Sequence, residues 1–150
     1  MEKKSVAKTT VLMYTLQSSL ATMQNDVGDI ANEMMGVATK LGLEITGPQI
    51  WQYRGSDGQP NTKFMLDICI PVKETKGDPG KFKFVTLPEF KCISEMHKGP
   101  WNQLGNAYQR IMGEVTRKSI PITGNSREIY ITCDWEHPEN CVTEVQMEIQ

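Results

Sequence analysis

Histidine is scarce in this chain, with only His97 and His137, and the four cysteines Cys69, Cys92, Cys133 and Cys141 show no Cys-x-x-Cys spacing. A zinc site draws its donors in closely spaced pairs, so this scatter argues against a bound metal. The motifs of phosphate and nucleophile chemistry are missing as well: there is no Gly-rich phosphate loop, no Gly-x-Ser-x-Gly elbow and no neighbouring Cys-His pair. No cofactor is therefore expected. Apolar runs are short, none reaching the roughly 18–20 residues that cross a bilayer. The N-terminal Met1-Glu2-Lys3-Lys4-Ser5 leads into threonines and a tyrosine rather than an apolar signal core. We expect a cytoplasmic protein that does not enter membranes, its thiols reduced and packed as small hydrophobes. Clusters of positive charge are lacking too. The 16 Lys and Arg residues are outnumbered by 18 Asp and Glu, for a net charge of -2. Direct nucleic-acid binding relies on clustered cations to neutralise phosphates and is not expected here.

What the chain does contain is an internal repeat. Sliding the sequence over itself by 77 positions places Asn25, Gly28, Met35, Gly36 and Thr39 on Asn102, Gly105, Met112, Gly113 and Thr116. Ile45-Thr46-Gly47 falls on Ile122-Thr123-Gly124, and Tyr53 on Tyr130. Secondary-structure signals recur in the same register. In the first half Thr9–Leu16 reads as a strand. Residues 25–41 show helical spacing in Val27, Ile30, Ala31, Met34, Met35, Ala38 and Leu41, closed by Gly42. Short strands follow over 50–54 and, most strongly, over 64–72, separated by a Gly- and Pro-containing loop. The second half reads as a strand over 84–96, a break at Gly99-Pro100, a helix over 101–115, and strands over 128–132 and 142–149. The unit is β-α-β-β used twice, over about residues 8–73 and 83–150 with 74–82 as linker. The expected fold class is α+β. Two units joined edge to edge form one antiparallel sheet with both long helices on one face, and a concave ligand cleft lies on the pseudo-twofold seam.

Strand alternation selects candidates for that cleft. Over 64–72 the apolar set Phe64, Leu66, Ile68, Ile70 and Val72 must meet the helix, which turns Met65, Asp67 and Cys69 to the opposite face. In the last strand Val145, Met147 and Ile149 meet the helix, and Val142, Glu144 and Gln146 turn away. Each half thus carries one mid-strand carboxylate on the helix-free face. Trp51, Tyr53 and Tyr130 lie on paired strands, and Trp135 in the adjoining loop. Two readings stand. Solvated carboxylates and ordinary core rings would carry no ligand, whereas a carboxylate framed by aromatic faces suits a delocalised cation, at about 0.5–2 kcal/mol per ring. The ligand-binding set on the second reading is Glu144, Asp67, Trp51, Tyr53, Tyr130, Trp135, Met65 and Gln146.

The second half also carries Leu87-Pro88-Glu89-Phe90, His97-Lys98-Gly99-Pro100-Trp101, Ala107-Tyr108-Gln109-Arg110-Ile111, Glu128-Ile129-Tyr130 and Thr143-Glu144-Val145-Gln146. The first half carries Leu43-Glu44-Ile45-Thr46-Gly47-Pro48 and Leu66-Asp67-Ile68-Cys69-Ile70-Pro71-Val72. In this order the motifs resemble the GyrI-like effector-binding family, which includes ligand-binding domains of AraC-type and multidrug-responsive regulators and free-standing proteins. Departures are Thr22-Met23-Gln24 in place of a His-x-Gly-Pro turn in the first half, and Glu148 where the family has proline.

The resemblance implies the duplicated fold, a cleft for lipophilic or cationic ligands, and Glu144 as the cation-pairing residue. With the first strand beginning near residue 9 and the last ending at the C-terminus, we expect no helix-turn-helix module, and hence a stand-alone small-molecule-binding domain, working alone or with a regulatory protein partner. Two alternatives come with the family: hydrolysis of reactive electrophiles, for which Glu144 with Tyr53 or Tyr130 would be the catalytic pair, and a protein-interaction role of the gyrase-inhibitor type. Unpaired sheet edges also leave room for a homodimer.

Overall fold

The computed structural model describes residues 1–150 as strands β1 (Glu2–Val6), β2 (Thr9–Ser18), β3 (Ile50–Arg54), β4 (Phe64–Pro71), β5 (Lys83–Leu87), β6 (Phe90–Lys98), β7 (Ile122–Thr132) and β8 (Val142–Ile149). Helices are α1 (Met23–Val27), α2 (Ile30–Lys40) and α3 (Leu104–Arg117), the last preceded by a 3-10 turn at Trp101–Gln103. All strands join one curled antiparallel sheet in the order β1-β6-β8-β7-β3-β4-β2-β5. The order is symmetric about the β3–β7 seam. From it the first half lays down β3, β4 and β2, and the second β7, β8 and β6. The outermost strands are exchanged: β1 pairs with β6 of the second half, and β5 pairs with β2 of the first.

That exchange explains where the sequence reading fell short. The lysine-rich β1 has no apolar alternation to announce it and is a strand because β6 offers an edge. The single strand expected over 84–96 is two, divided at Pro88-Glu89. Proline has no N–H to continue a ladder, and the two pieces serve different neighbours. The single helix expected over 25–41 is broken between α1 and α2 at Gly28, whose φ of +49° with ψ of -122° leaves helical space. The strand expected from residue 128 starts at Ile122, with an irregularity between Ile122 and Ser126.

Both long helices lie on one face of the sheet. Beneath α2, Met34 and Ala38 pack on Leu12, Leu66, Ile68 and Ile70. Beneath α3, Leu104, Ala107, Ile111 and Val115 pack on Ile93, Val145 and Met147. Residues such as Leu66 and Ile111, both 0% exposed, each contribute roughly 1.5–3 kcal/mol by leaving water. The buried helix positions repeat: Val27, Met34 and Ala38 are the 77-residue counterparts of Leu104, Ile111 and Val115. A smaller cluster of Val11, Met13, Cys69 and Leu87 fills the curl on the other face. Because α2 packs over β2 and β4, and α3 over β6 and β8, the central strands β3 and β7 form the floor of a groove between the helices. No helix is long and apolar enough to cross a membrane.

Candidate functional site

The register of the seam decides what faces that groove. Trp51 pairs with Glu128 and Tyr53 with Ser126, and the Tyr130 N–H donates to the Gln49 carbonyl at 3.1 Å. Trp51 and Glu128 are also counterparts under the 77-residue shift, so the pseudo-twofold axis passes between them. Directly paired residues share a face, as do residues two apart on a strand. Trp51, Tyr53, Glu128 and Tyr130 therefore all rise from the groove floor.

There they converge on one carboxylate. Glu128 Oε1 accepts from the Tyr130 hydroxyl at 2.6 Å and from the Tyr53 hydroxyl at 3.1 Å. Its Oε2 accepts from the Tyr108 hydroxyl at 2.6 Å. Tyr108 comes from α3, one position past the buried Ala107, so the docking of α3 on β6 and β8 leaves this ring at the groove. Trp51 meets the Tyr130 ring edge to face, 5.5 Å between centroids at 88°, and Tyr53 packs the same way on Phe64. Glu128 and Tyr53 are only 7% and 5% exposed, whereas Trp51 and Tyr130 are half-buried and form the outer layer.

Burial pushes the Glu128 carboxyl above its ordinary range, against the pull of the three phenol donors. Burial, reinforced by the neighbouring carboxylate, also raises the Tyr53, Tyr108 and Tyr130 hydroxyls well above theirs. The phenols thus stay protonated and act as donors. A carboxylate offers about four lone-pair sites; three neutral donors leave part of its acceptor capacity free and favour its ionised form without bringing an opposite charge to it. Glu128 forms no ion pair; every salt bridge of the chain lies elsewhere.

The residues expected to form one site are split by the sheet. Trp51, Tyr53 and Tyr130 face the helices, while Glu144, Asp67, Met65 and Gln146 face the other way, so the structure does not bring Glu144 to the rings. Its Cα partners across the ladder are Met96 and Ile129. The carboxylate accepts from Gln146 Nε2 at 2.9 Å and lies 2.6 Å from the Lys4 ammonium, whose pKa is raised by its hydrogen bond to Glu144. A shallow cavity of about 230 Å³ adjoins it, lined also by Met1, Glu2, Lys4, Ser94, Glu95 and Met96, with no aromatic ring.

Asp67 is 2% exposed and saturated. It accepts from Thr15 at 2.6 Å, from Gln52 at 2.9 Å and from Arg54 through two bonds of 2.9 Å. Trp135, 80% exposed, packs against Trp101 with ring centroids 4.7 Å apart and planes tilted by 47°, away from the seam. Sequence reasoning passed over Glu128 and Tyr108. A signal for the first was present: Glu128 stands two residues before Tyr130 on one strand, and period-2 alternation puts the two side by side. No comparable signal existed for Tyr108, which reaches the site from a helix.

The C-terminal domain of EcmrR superposes with a TM-score of 0.81 at 21% identity, over 99% of this chain and 96% of that one. EcmrR in its complex with DNA gives 0.82 at 21% identity, over 99% of this chain and 56% of the longer one. SAV2435 bound to tetraphenylphosphonium gives 0.69 at 14% identity, over 100% and 94%. A hydrolase from Listeria innocua gives 0.63 at 13% identity, over 99% and 91%. At these identities the likeness is one of fold. No curated protein matches the chain in sequence. The profile of the GyrI-like small molecule binding domain matches residues 1–150, and the chain belongs to that family.

Proposed function

We propose that this domain binds an organic cation with an aromatic or lipophilic body in the groove between α2 and α3, with Glu128 as the counter-charge in place of the expected Glu144. The observation that carries this reading is a buried carboxylate whose three partners are neutral phenols. An ionised group taken out of water without an opposite charge costs several kcal/mol, and a ligand cation supplies that charge. At about 4 Å and an effective dielectric near 20, the attraction is about 4 kcal/mol. Trp51 and Tyr130 add roughly 0.5–2 kcal/mol each through their faces. Their single edge contact is what a ligand displaces on its way to the carboxylate. The tetraphenylphosphonium in the structure of SAV2435 is a ligand of this class. The proposal involves no direct contact with nucleic acid.

The test is calorimetry with tetraphenylphosphonium on the wild type, Glu128→Gln and Glu144→Gln. Glu128→Gln should bind at least tenfold more weakly, because neutralising the acceptor removes the charge term, and Glu144→Gln should match the wild type. Equal affinity in wild type and Glu128→Gln removes the reading. A second reading draws on the same groups. A carboxyl raised by burial beside a phenol at 2.6 Å suits acid-base attack on a reactive electrophile. Turnover lost in both Glu128→Gln and Tyr130→Phe would assign it, and no product at saturating substrate would dismiss it.

A further inference from the structure

The two halves of the groove are not equivalent, although the repeat makes them nearly so. The 77-residue shift that relates Trp51 to Glu128 also relates Ala31 on α2 to Tyr108 on α3. The helices dock alike: Met34 and Ala38 are buried where Ile111 and Val115 are, and α2 lies over β2 and β4 as α3 lies over β6 and β8. Ala31 therefore stands to Trp51 as Tyr108 stands to Glu128. On the α3 side a tyrosine reaches down to the floor and bonds to it. On the α2 side the corresponding side chain is a single methyl, itself partly exposed, and the Trp51 indole is also partly exposed.

The backbone adds to the difference. Gly105 lies inside α3, but its counterpart Gly28 ends α1 with a φ of +49°, so α2 begins only at Ile30. One wall of the groove is filled by an aromatic side chain, and the other is broken between α1 and α2 at Gly28 and carries the smallest chiral residue at the matching position.

We propose that the apolar body of the ligand is taken up on the α2 side, over the Trp51 indole and against Ala31, with its positive centre at Glu128. Directly paired residues hold their Cβ atoms roughly 4.5–5.5 Å apart, so a cation held at Glu128 brings a ring attached to it beside Trp51. Ala31 then sets the bulk that the groove admits. The placement rests on the cation reading of Glu128, and the experiment separates the two. Ala31→Phe and Glu128→Gln are titrated, by tryptophan fluorescence and calorimetry, with tetraphenylphosphonium and with tetramethylammonium, which carries the same charge and no arms.

We expect Ala31→Phe to weaken tetraphenylphosphonium at least tenfold and to leave tetramethylammonium within threefold of the wild type, while Glu128→Gln weakens both. If Glu128→Gln weakens both probes but Ala31→Phe leaves tetraphenylphosphonium unchanged, or weakens the two equally, the placement is overturned and the cation reading stands. If Glu128→Gln changes neither, both fall. Should thermal unfolding show Ala31→Phe to be misfolded, Ala31→Leu is read by the same criteria.

Discussion

Replacing Tyr108 by phenylalanine removes one hydroxyl and keeps the ring that packs beside the α3 cluster. That hydroxyl donates to Glu128 Oε2 at 2.6 Å, the length of a charge-assisted bond. Such a bond to an ionised group contributes about 1.5–3 kcal/mol, and a neutral one about 0.5–1.5 kcal/mol. The loss therefore depends on the protonation of Glu128. Burial holds this carboxyl above its ordinary range, and Tyr108 opposes burial by favouring the ionised form. A native-state pKa raised above the unfolded value means that stability falls as pH climbs between the two. Without Tyr108 the native value rises further, so the fall is larger in the variant. Urea unfolding followed by circular dichroism should show Tyr108→Phe less stable by about 2–3 kcal/mol at pH 8 and by about 1 kcal/mol at pH 5. A difference that is the same at both pH values, or larger at pH 5, refutes the claim that a buried, ionisable Glu128 organises this cluster.

Two further outcomes follow from the other face of the sheet and from the thiols. Asp67→Asn breaks the paired bonds to Arg54 in a side chain 2% exposed. Because Arg54 is 44% exposed, the cost is taken at about 1–2 kcal/mol rather than the value for a fully buried pair. The bonds from Arg54, Thr15 and Gln52 outweigh burial and hold this carboxyl below its ordinary 3.8. Its stabilisation is thus complete above that pH and lost as pH falls below it, and acid unfolding of the wild type and the variant should converge there. Alkylation at pH 8 should modify one thiol per folded chain. Cys133 is the exposed cysteine, while burial pushes the Cys69 thiol up to about 12 and the Cys92 thiol up to about 11, and Cys141 is buried. Cys133→Ser should abolish the label, and persistent labelling in that variant counts against the packing described.

The α+β class and the core strands and long helices of each half were legible in the sequence, because each rests on local chemistry, whereas β1 and the divisions between β5 and β6 and between α1 and α2 were not. The alternation of Phe64, Leu66, Ile68 and Ile70 sorts the two faces of β4 without knowledge of any neighbour, and the spacing of Leu104, Ile111 and Val115 does the same for α3. Tertiary structure alone decided which carboxylate meets the rings. In β3 and β7 both faces carry apolar and polar side chains: Trp51 and Tyr53 alternate with Ile50 and Gln52, and Glu128 and Tyr130 with Arg127 and Ile129. Such strands contain no internal preference for one face. Their orientation is fixed by the ladder across the seam, where a slip of one residue would exchange the two sets. The pairing of Trp51 with Glu128 placed both Trp51 and Tyr53 under the helices and left Glu144 to Lys4 on the far side. Tyr108 joined them from a segment 20 residues away, a meeting that only the docking of α3 could bring about.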